Sequence, residues 1–269
     1  MSARLRAIAR ETVEIAERGS YRDPDGAEVR LDVQPAIAGT RLYLPEDELP
    51  AGAEAGAGAR AEPTIEVTGE SSLIAAKRLG GDVAVLVFAS ARNPGGGFLN
   101  GAQAQEESLA RGSALYPCLR AAGDFYAHHR ATPELTYTDR VIYSPGVPVF
   151  RDDKGRLLTE AYPVTFLTSA APNLGAIRRT QPELAAQVPA VLRRRAARVL
   201  AVAAAHGHRR IVLGAWGCGV FGNDPATVAE AFAEALREQP MDHVVFAVLG
   251  PNREPFTAVF AGGSARDVP

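Results

Sequence analysis

Val83-Ala84-Val85-Leu86-Val87-Phe88-Ala89-Ser90-Ala91-Arg92-Asn93-Pro94-Gly95-Gly96-Gly97 is the stretch on which the fold turns. Its first seven residues are apolar without a break and rich in valine, the pattern of a buried strand. The three glycines that close it exclude a helix or strand interior, where each costs about 0.5–1 kcal/mol relative to alanine. They imply a backbone that takes positive φ or approaches a ligand closely. A loop leaving the end of a core strand is where open α/β sheets bind their ligands. Seven residues further on stands Gln105-Glu106-Glu107, so a glycine hinge and a carboxylate pair meet in one loop.

Outward from there the rhythm is β-α-β. A strand is predicted over 64–68 and a helix over 71–79, closed by Gly80-Gly81. Nearer the N-terminus, Leu5, Ile8, Ala9, Thr12, Ile15 and Ala16 share one helical face, and Gly19 is placed to cap that helix. Residues 44–63 are rich in Ala, Gly and Glu and too poor in large apolar side chains to pack, which reads as an exposed, flexible loop. The expected division is an N-terminal extension over 1–63 and one globular core over 64–269.

Downstream, a strand is expected over 163–168, and Thr180-Gln181-Pro182-Glu183 reads as a capping box opening a long helix. Leu184, Val188, Val191, Leu192, Ala196, Val199, Leu200 and Ala203 recur at helical spacing, which puts Arg193, Arg194 and Arg195 mostly on the wet side. Gly207 would stop that helix. A short strand over 211–213, a helix over 225–237 capped by Asn223 or Asp224, and a last strand over 244–249 complete the pattern. Asp152-Asp153-Lys154-Gly155 reads as the turn of a hairpin-like excursion after residues 143–150. Strands alternating with helices imply a largely parallel sheet covered on both faces.

A second glycine loop, Gly214-Ala215-Trp216-Gly217-Cys218-Gly219-Val220-Phe221-Gly222, runs from a strand end into a helix start. Backbone N–H groups exposed by such a loop, aimed with a helix dipole, can hold a diphosphate without any lysine. No Gly-Lys-Ser/Thr follows, so it is not a Walker loop. One such loop is as well explained by a tight strand-to-helix turn; two at strand ends shift the reading towards a ligand. Glu106 and Glu107 taken alone fit the ordinary role of carboxylates at a helix start. Their position after the first loop places them at the mouth of the same cleft, and the combination points to nucleotide-sugar chemistry. Neighbouring, partly desolvated carboxylates resist double ionisation, which keeps one able to act as a general acid. Side chains at i and i+1 of a helix diverge by about 100°, so the two have different roles.

The composition narrows the alternatives. A chain of 269 residues, 46% hydrophobic, has enough for a substantial core, and a net charge of −2 gives no global field for duplex nucleic acid. No apolar run approaches the ~18 residues of a membrane span and the first residues lack the apolar stretch of a secretory signal, so a cytoplasmic protein is expected. Cys118 and Cys218 form neither a disulfide framework nor a zinc motif, and no metal or cofactor is expected. Cys218 is read as a small packing residue, Trp216 as a packing residue beside the loop, and the His128-His129 and His206/His208 pairs as solvated or capping groups.

Gly95-Gly96-Gly97, seven residues and Gln105-Glu106-Glu107 resemble the signature of the poly(ADP-ribose) glycohydrolases, specifically the compact bacterial-type branch built on a macrodomain. The resemblance extends over residues 88–94, 143–152, 170–173 and 214–223. It implies a three-layer α/β/α macrodomain with a mixed, largely parallel central sheet and an N-terminal helical extension. It also implies hydrolysis of ribose–ribose O-glycosidic bonds from the polymer end to release ADP-ribose, with poly(ADP-ribose) and poly-ADP-ribosylated proteins as partners and no metal. Carried over residue by residue, Glu107 is the general acid and then the base that activates water. Glu106 holds the ribose hydroxyls, and Gln105 fixes the loop. Gly95, Gly96 and Gly97 let the backbone close over ribose and diphosphate, with Asn93 anchoring the distal ribose. Gly217, Cys218, Gly219, Val220, Phe221 and Gly222 cradle the diphosphate, Phe221 packing on the ribose, and adenine contacts fall partly on residues 68–71. Two rivals remain open: a non-catalytic ADP-ribose-binding macrodomain, and a mono-ADP-ribosyl hydrolase acting on another linkage.

Overall fold

The computed structural model describes residues 2–50 and 62–261. Along them run α1 (Ala3–Arg18), β1 (Ser20–Arg22), β2 (Glu28–Arg30), α2 (Gln34–Gly39), β3 (Arg41–Tyr43), β4 (Thr64–Thr68), α3 (Ser72–Leu79) and β5 (Val83–Phe88). Then follow α4 (Gln105–Gly112), α5 (Leu115–Ala121), α6 (Gly123–Ala131), β6 (Val141–Arg151), β7 (Leu157–Ser169), α7 (Leu174–Thr180), α8 (Val188–Ala205), β8 (Arg210–Leu213), α9 (Pro225–Glu238), β9 (His243–Ala247) and α10 (Arg253–Phe260). Seven strands form one sheet in the order β3-β6-β7-β5-β8-β9-β4, while β1 and β2 pair separately. The four pairings from β7 to β4 are parallel and the two involving β6 are antiparallel, the mixed but largely parallel sheet expected.

Burial alternates along β5 and sorts the helices. Val83, Val85 and Val87 face one layer, Ala84 and Leu86 the other. The first layer takes its apolar side chains from α1 to α6, the second from α7 to α10, so the chain fills one face before crossing to the other. The Gly19 cap of α1 is as expected, at φ 73° with its N–H bonded to Ile15 O. Thr12 on the buried face of α1 donates to Arg111 O at 2.8 Å and accepts from Arg151 Nε at 3.0 Å, tying the helix to the end of α4 and to β6. β3, from the segment before residue 63, pairs with β6 at one edge of the main sheet. The stretch expected to be a flexible loop falls largely on 51–61, outside the described residues.

Four local expectations change. The strand over 163–168 is the end of β7, which with β6 makes a long antiparallel hairpin turning at Asp152 to Gly155. Both strands are irregularly apolar and contain prolines, which hides their length. Thr180 opens no helix: it is the last residue of α7, its hydroxyl donating to Ala176 O at 3.0 Å, and α8 begins only at Val188. The capping pattern fails because α7, capped by the Asn173 side chain, already occupies the residues before it. Arg195 is fully buried rather than wet. It sits three residues from Leu192 and four from Val191 and Val199, on the apolar face of α8, where it donates to Asp139 at 2.9 Å, to Ala170 O at 2.6 Å and to Thr136 O at 2.9 Å. The cap of α9 is Asp224, and the last strand ends at Ala247.

Candidate active site

The loops that follow the parallel strands at their carboxyl ends border one cleft of about 580 Å³. After β4 come Glu70 and Ser71, after β5 Ser90, after β8 the 214–222 loop, and after β9 Leu249 and Asn252. Gln105, Glu106 and Glu107 open α4 on its wall, where carboxylates also complement the helix dipole.

Each of the three does something different. β5 pairs with β8 only as far as Val85, and beyond it the Gln105 carboxamide takes over the ladder. Its Nε2 donates to Leu86 O at 2.7 Å and to Ser72 Oγ at 3.1 Å, and its Oε1 accepts from Phe88 N at 2.9 Å. Glu106 is 3% exposed; its Oε2 accepts from Ser90 N at 2.6 Å, while its buried Oε1 has no partner among the described residues. Burial first, then the neighbouring Glu107 carboxylate, pushes the Glu106 carboxyl well above the usual range against the opposing pull of backbone N–H groups. Glu107 is only half-buried, and its Oε1 accepts from Gly97 N at 3.0 Å. Behind them Arg111 is buried and donates to Ala102 O at 2.6 Å, bracing the connection between glycines and helix.

The first loop is shaped by these carboxylates. Gly96 has φ 58°, and a Cβ there would run into Glu107 Oε1 and approach Glu106 Oε2 to 3.1 Å, so no larger residue leaves the pair in place. Gly95, Gly96 and Gly97 stand behind the carboxylates and do not line the cleft themselves, nor does Asn93, which is exposed, its carbonyl accepting from Gly96 N at 3.0 Å.

The second loop is shaped from behind. At Gly217, φ 72°, a Cβ would lie 2.5 Å from both Ala171 Cβ and Asn223 Nδ2. Asn223 is buried and donates to Pro172 O at 2.9 Å and to Gly217 O at 3.1 Å; it is the brace of the loop, not the helix cap. Trp216 is buried with Nε1 on Ser169 O, and Gly175 N at the start of α7 donates to Phe221 O at 2.8 Å. So held, the loop leaves the N–H groups of Gly219, Val220 and Phe221 without a hydrogen bond among the described residues, an anion-receptive set. Gly217, Gly219, Val220 and Phe221 line the cleft; Cys218 and Gly222 do not. Burial and Asp224 push the Cys218 thiol up to about 12, which leaves no thiolate for nucleophilic chemistry.

Most of the residues expected at the site therefore meet at one cleft. Ser90, Asn173 and Asn223 lie in segments already singled out, but their hydrogen bonds, like that of Ser72, are written in no motif. Two of the histidines expected to be solvated or capping are instead buried: His129, and His208 against Tyr143, on which His206 also stacks with ring centroids 3.7 Å apart.

A family model of the microbial-type PARG catalytic domain matches residues 9–152. The chain is similar to poly(ADP-ribose) glycohydrolase from Thermomonospora curvata, with 52% identity, a TM-score of 0.89, and coverage of 96% of this chain and 100% of that one. A structure of that enzyme bound to the inhibitor ADP-HPD matches at 52% identity and TM-score 0.84, over 96% of this chain and 99% of that one. The glycohydrolase from Deinococcus radiodurans in complex with ADP-ribose matches at 44% identity and TM-score 0.79, over 87% and 99% of the two chains. Among curated proteins, no sequence match to the chain is significant.

Proposed function

The chain belongs to the microbial-type poly(ADP-ribose) glycohydrolase family, and from that premise we infer that it is a glycosidase that hydrolyses poly(ADP-ribose) to ADP-ribose. The observation that carries the reading within this chain is the division of labour between two adjacent carboxylates on one cleft. Glu106 keeps one oxygen tied to Ser90 N and has a second, buried oxygen without a partner among the described residues. A ribose hydroxyl supplies the missing partner, which supports Glu106 as the group that orients the sugar. Glu107, anchored through a single oxygen to Gly97 N, is open enough to meet both a leaving group and water.

In this reading Glu107 gives its proton to the leaving ribose oxygen as the bond from the anomeric carbon to that oxygen breaks. Water then adds to the anomeric carbon and returns a proton to Glu107. A single carboxyl serves both steps, and the diphosphate lying on the 219–221 N–H groups places negative charge near the developing oxocarbenium ion. Asn93 and Phe221 border the ribose, Gly95 to Gly97 form the wall behind the carboxylates, and Glu70 and Ser71 lie towards the adenine. Cutting from the polymer end, poly-ADP-ribosylated proteins as partners, a macrodomain core over 64–269 and a cytoplasmic setting belong to the same proposal. Among the described residues, no helix is long and apolar enough to cross a membrane.

The test is release of free ADP-ribose from poly(ADP-ribose) by the wild type and by Glu107→Ala, with ADP-ribose binding measured on both by calorimetry. Release by the wild type alone, with binding by both, is expected. Binding without release by either would leave an ADP-ribose-binding module or a hydrolase of another linkage.

A further inference from the structure

We propose that four exposed arginines beyond the catalytic end of the cleft, Arg92, Arg130, Arg178 and Arg179, form the track that holds the polymer on the far side of the bond being cut. This rests on the glycohydrolase reading above. The direction follows from the sheet order. The cleft crosses the carboxyl ends of β4, β9, β8 and β5, with Glu70 at the β4 end, the N–H groups of 219–221 after β8 and the carboxylates beside β5. An ADP-ribose unit laid along it, diphosphate on the second loop, brings its terminal ribose to Glu106 and Glu107. The chain attached through that ribose then continues past β5, over the 90–93 loop and towards α7, which follows the next strand, β7.

The arginines stand on that path. Arg130 Nη1 donates to Arg92 O at 2.7 Å, which fixes one exposed guanidinium at the base of the first glycine loop with no other hydrogen bond among the described residues. Arg179 Nη1 would lie 3.8 Å from a Cβ at Gly175, the residue whose N–H holds Phe221 O. Among the described residues, no carboxylate pairs with any of the four, and the Arg178 and Arg179 side chains have no hydrogen bond or ion pair at all. Several other arginines of this chain meet carboxylates: Arg194 and Arg195 share Asp139, Arg78 meets Glu66 and Glu70, and Arg156 meets Asp152. Glu70, at the β4 end of the cleft, is held by Arg78, and Asp153 lines the cleft without a cationic partner among the described residues. In a chain of net charge −2, a cluster of unneutralised guanidiniums is a local device. Its planar forks match phosphate oxygens, of which each polymer unit offers two groups.

The experiment compares Arg92→Ala/Arg130→Ala and Arg178→Ala/Arg179→Ala with the wild type on two substrates. One is poly(ADP-ribose); the other is an ADP-ribose glycoside carrying a simple phenol on its terminal ribose, which has no polymer beyond the scissile bond. Arg193→Ala, on a different face, serves as control. We expect kcat/KM on the polymer to fall about tenfold at low salt for at least the Arg92/Arg130 pair, through KM. The log–log salt dependence should flatten by about one unit, as the loss of phosphate contacts requires. Hydrolysis of the phenol glycoside and ADP-ribose affinity should stay within twofold. Equal losses on both substrates would overturn the proposal by placing the arginines inside the ADP-ribose site or in the fold, and unchanged polymer kinetics in both variants would overturn it outright. Failure of the wild type to release ADP-ribose would instead sink the glycohydrolase reading on which it rests.

Discussion

The glycine loop at 93–97 is constrained from the cleft side, by carboxylate oxygens that leave no room for a Cβ at Gly96. The loop at 214–222 is constrained from the protein side, by Ala171 and the Asn223 amide pressed against Gly217. Both read in sequence as turns after a core strand, yet one is shaped by what does chemistry and the other by what holds a binding surface still. Damage to the first should therefore appear in kcat and damage to the second in affinity. The sharpest way to break that contrast is Glu107→Gln, which keeps the shape and removes the proton. We expect turnover on poly(ADP-ribose) to drop at least 1,000-fold, about 4 kcal/mol of transition-state stabilisation, with ADP-ribose affinity within a few-fold of wild type. Comparable turnover in the two proteins would dissolve the distinction.

Gly96→Ala tests the steric half of the argument. The new methyl group must displace Glu107 Oε1 and sit at φ 58°, a conformation that costs an L-residue about 1–2 kcal/mol. The carboxylates move although neither is altered, so kcat should fall roughly 100-fold, about 2.7 kcal/mol, with a smaller change in KM. A variant that loses affinity and keeps kcat would show that the first loop binds and does not position.

The mirror experiment is Gly217→Ala. Its methyl group meets Ala171 and the Asn223 amide, so the 219–221 N–H groups lose their common aim, and ADP-ribose should bind about tenfold more weakly by calorimetry, about 1.4 kcal/mol. kcat at saturating polymer should change less than twofold. If kcat falls as far as for Gly96→Ala, the two loops act as one unit.

How far the sequence discloses this contrast depends on the range of each interaction. The central parallel strands β5, β8 and β9 are legible, because burial on both faces writes short apolar runs bounded by glycines. Gln105, Glu106 and Glu107 are legible through their spacing from the glycines. Less so are residues whose role is set by a partner far along the chain. Asn223 reads as a helix cap and braces residue 172; Ser90 offers a backbone N–H to a side chain sixteen residues on. Arg195 was hidden by its neighbours, since a run of three arginines reads as a wet face, although its spacing from Val191, Leu192 and Val199 places it inside. The hairpin of β6 and β7 was obscured by prolines and by register shifts after Ser144 and Val149.

The smallest effect expected lies in the packing behind the second loop and is read as stability against pH. His129 is buried, Thr138 N donates to its Nε2 at 3.2 Å, and burial together with the charges of His128, Arg195 and Arg140 lowers its ring to about 3. Protonation at Nε2 would set two donors against each other, so the folded protein keeps the ring neutral. The unfolded chain binds a proton near pH 6.5 where the folded one does not, so this contribution is complete above pH 6.5 and is lost as pH falls towards 3. By pH 5.5 the loss should be about 1 kcal/mol, read from urea midpoints at pH 8 and 5.5 in the wild type and in His129→Asn. The groups common to both proteins cancel in that comparison, and an equal acid step in the two would remove His129 from the account. The ring centroid of His129 is 5.6 Å from that of Tyr137, which lies 6.1 Å from Phe221 in the second loop. The folded ring stays neutral well below pH 5.5, so mild acid should leave this stack, and ADP-ribose binding through it, unchanged in the wild type as in His129→Asn. A weakening of ADP-ribose binding between pH 8 and 5.5 that disappears in His129→Asn would show that the ring takes up its proton in the folded protein after all.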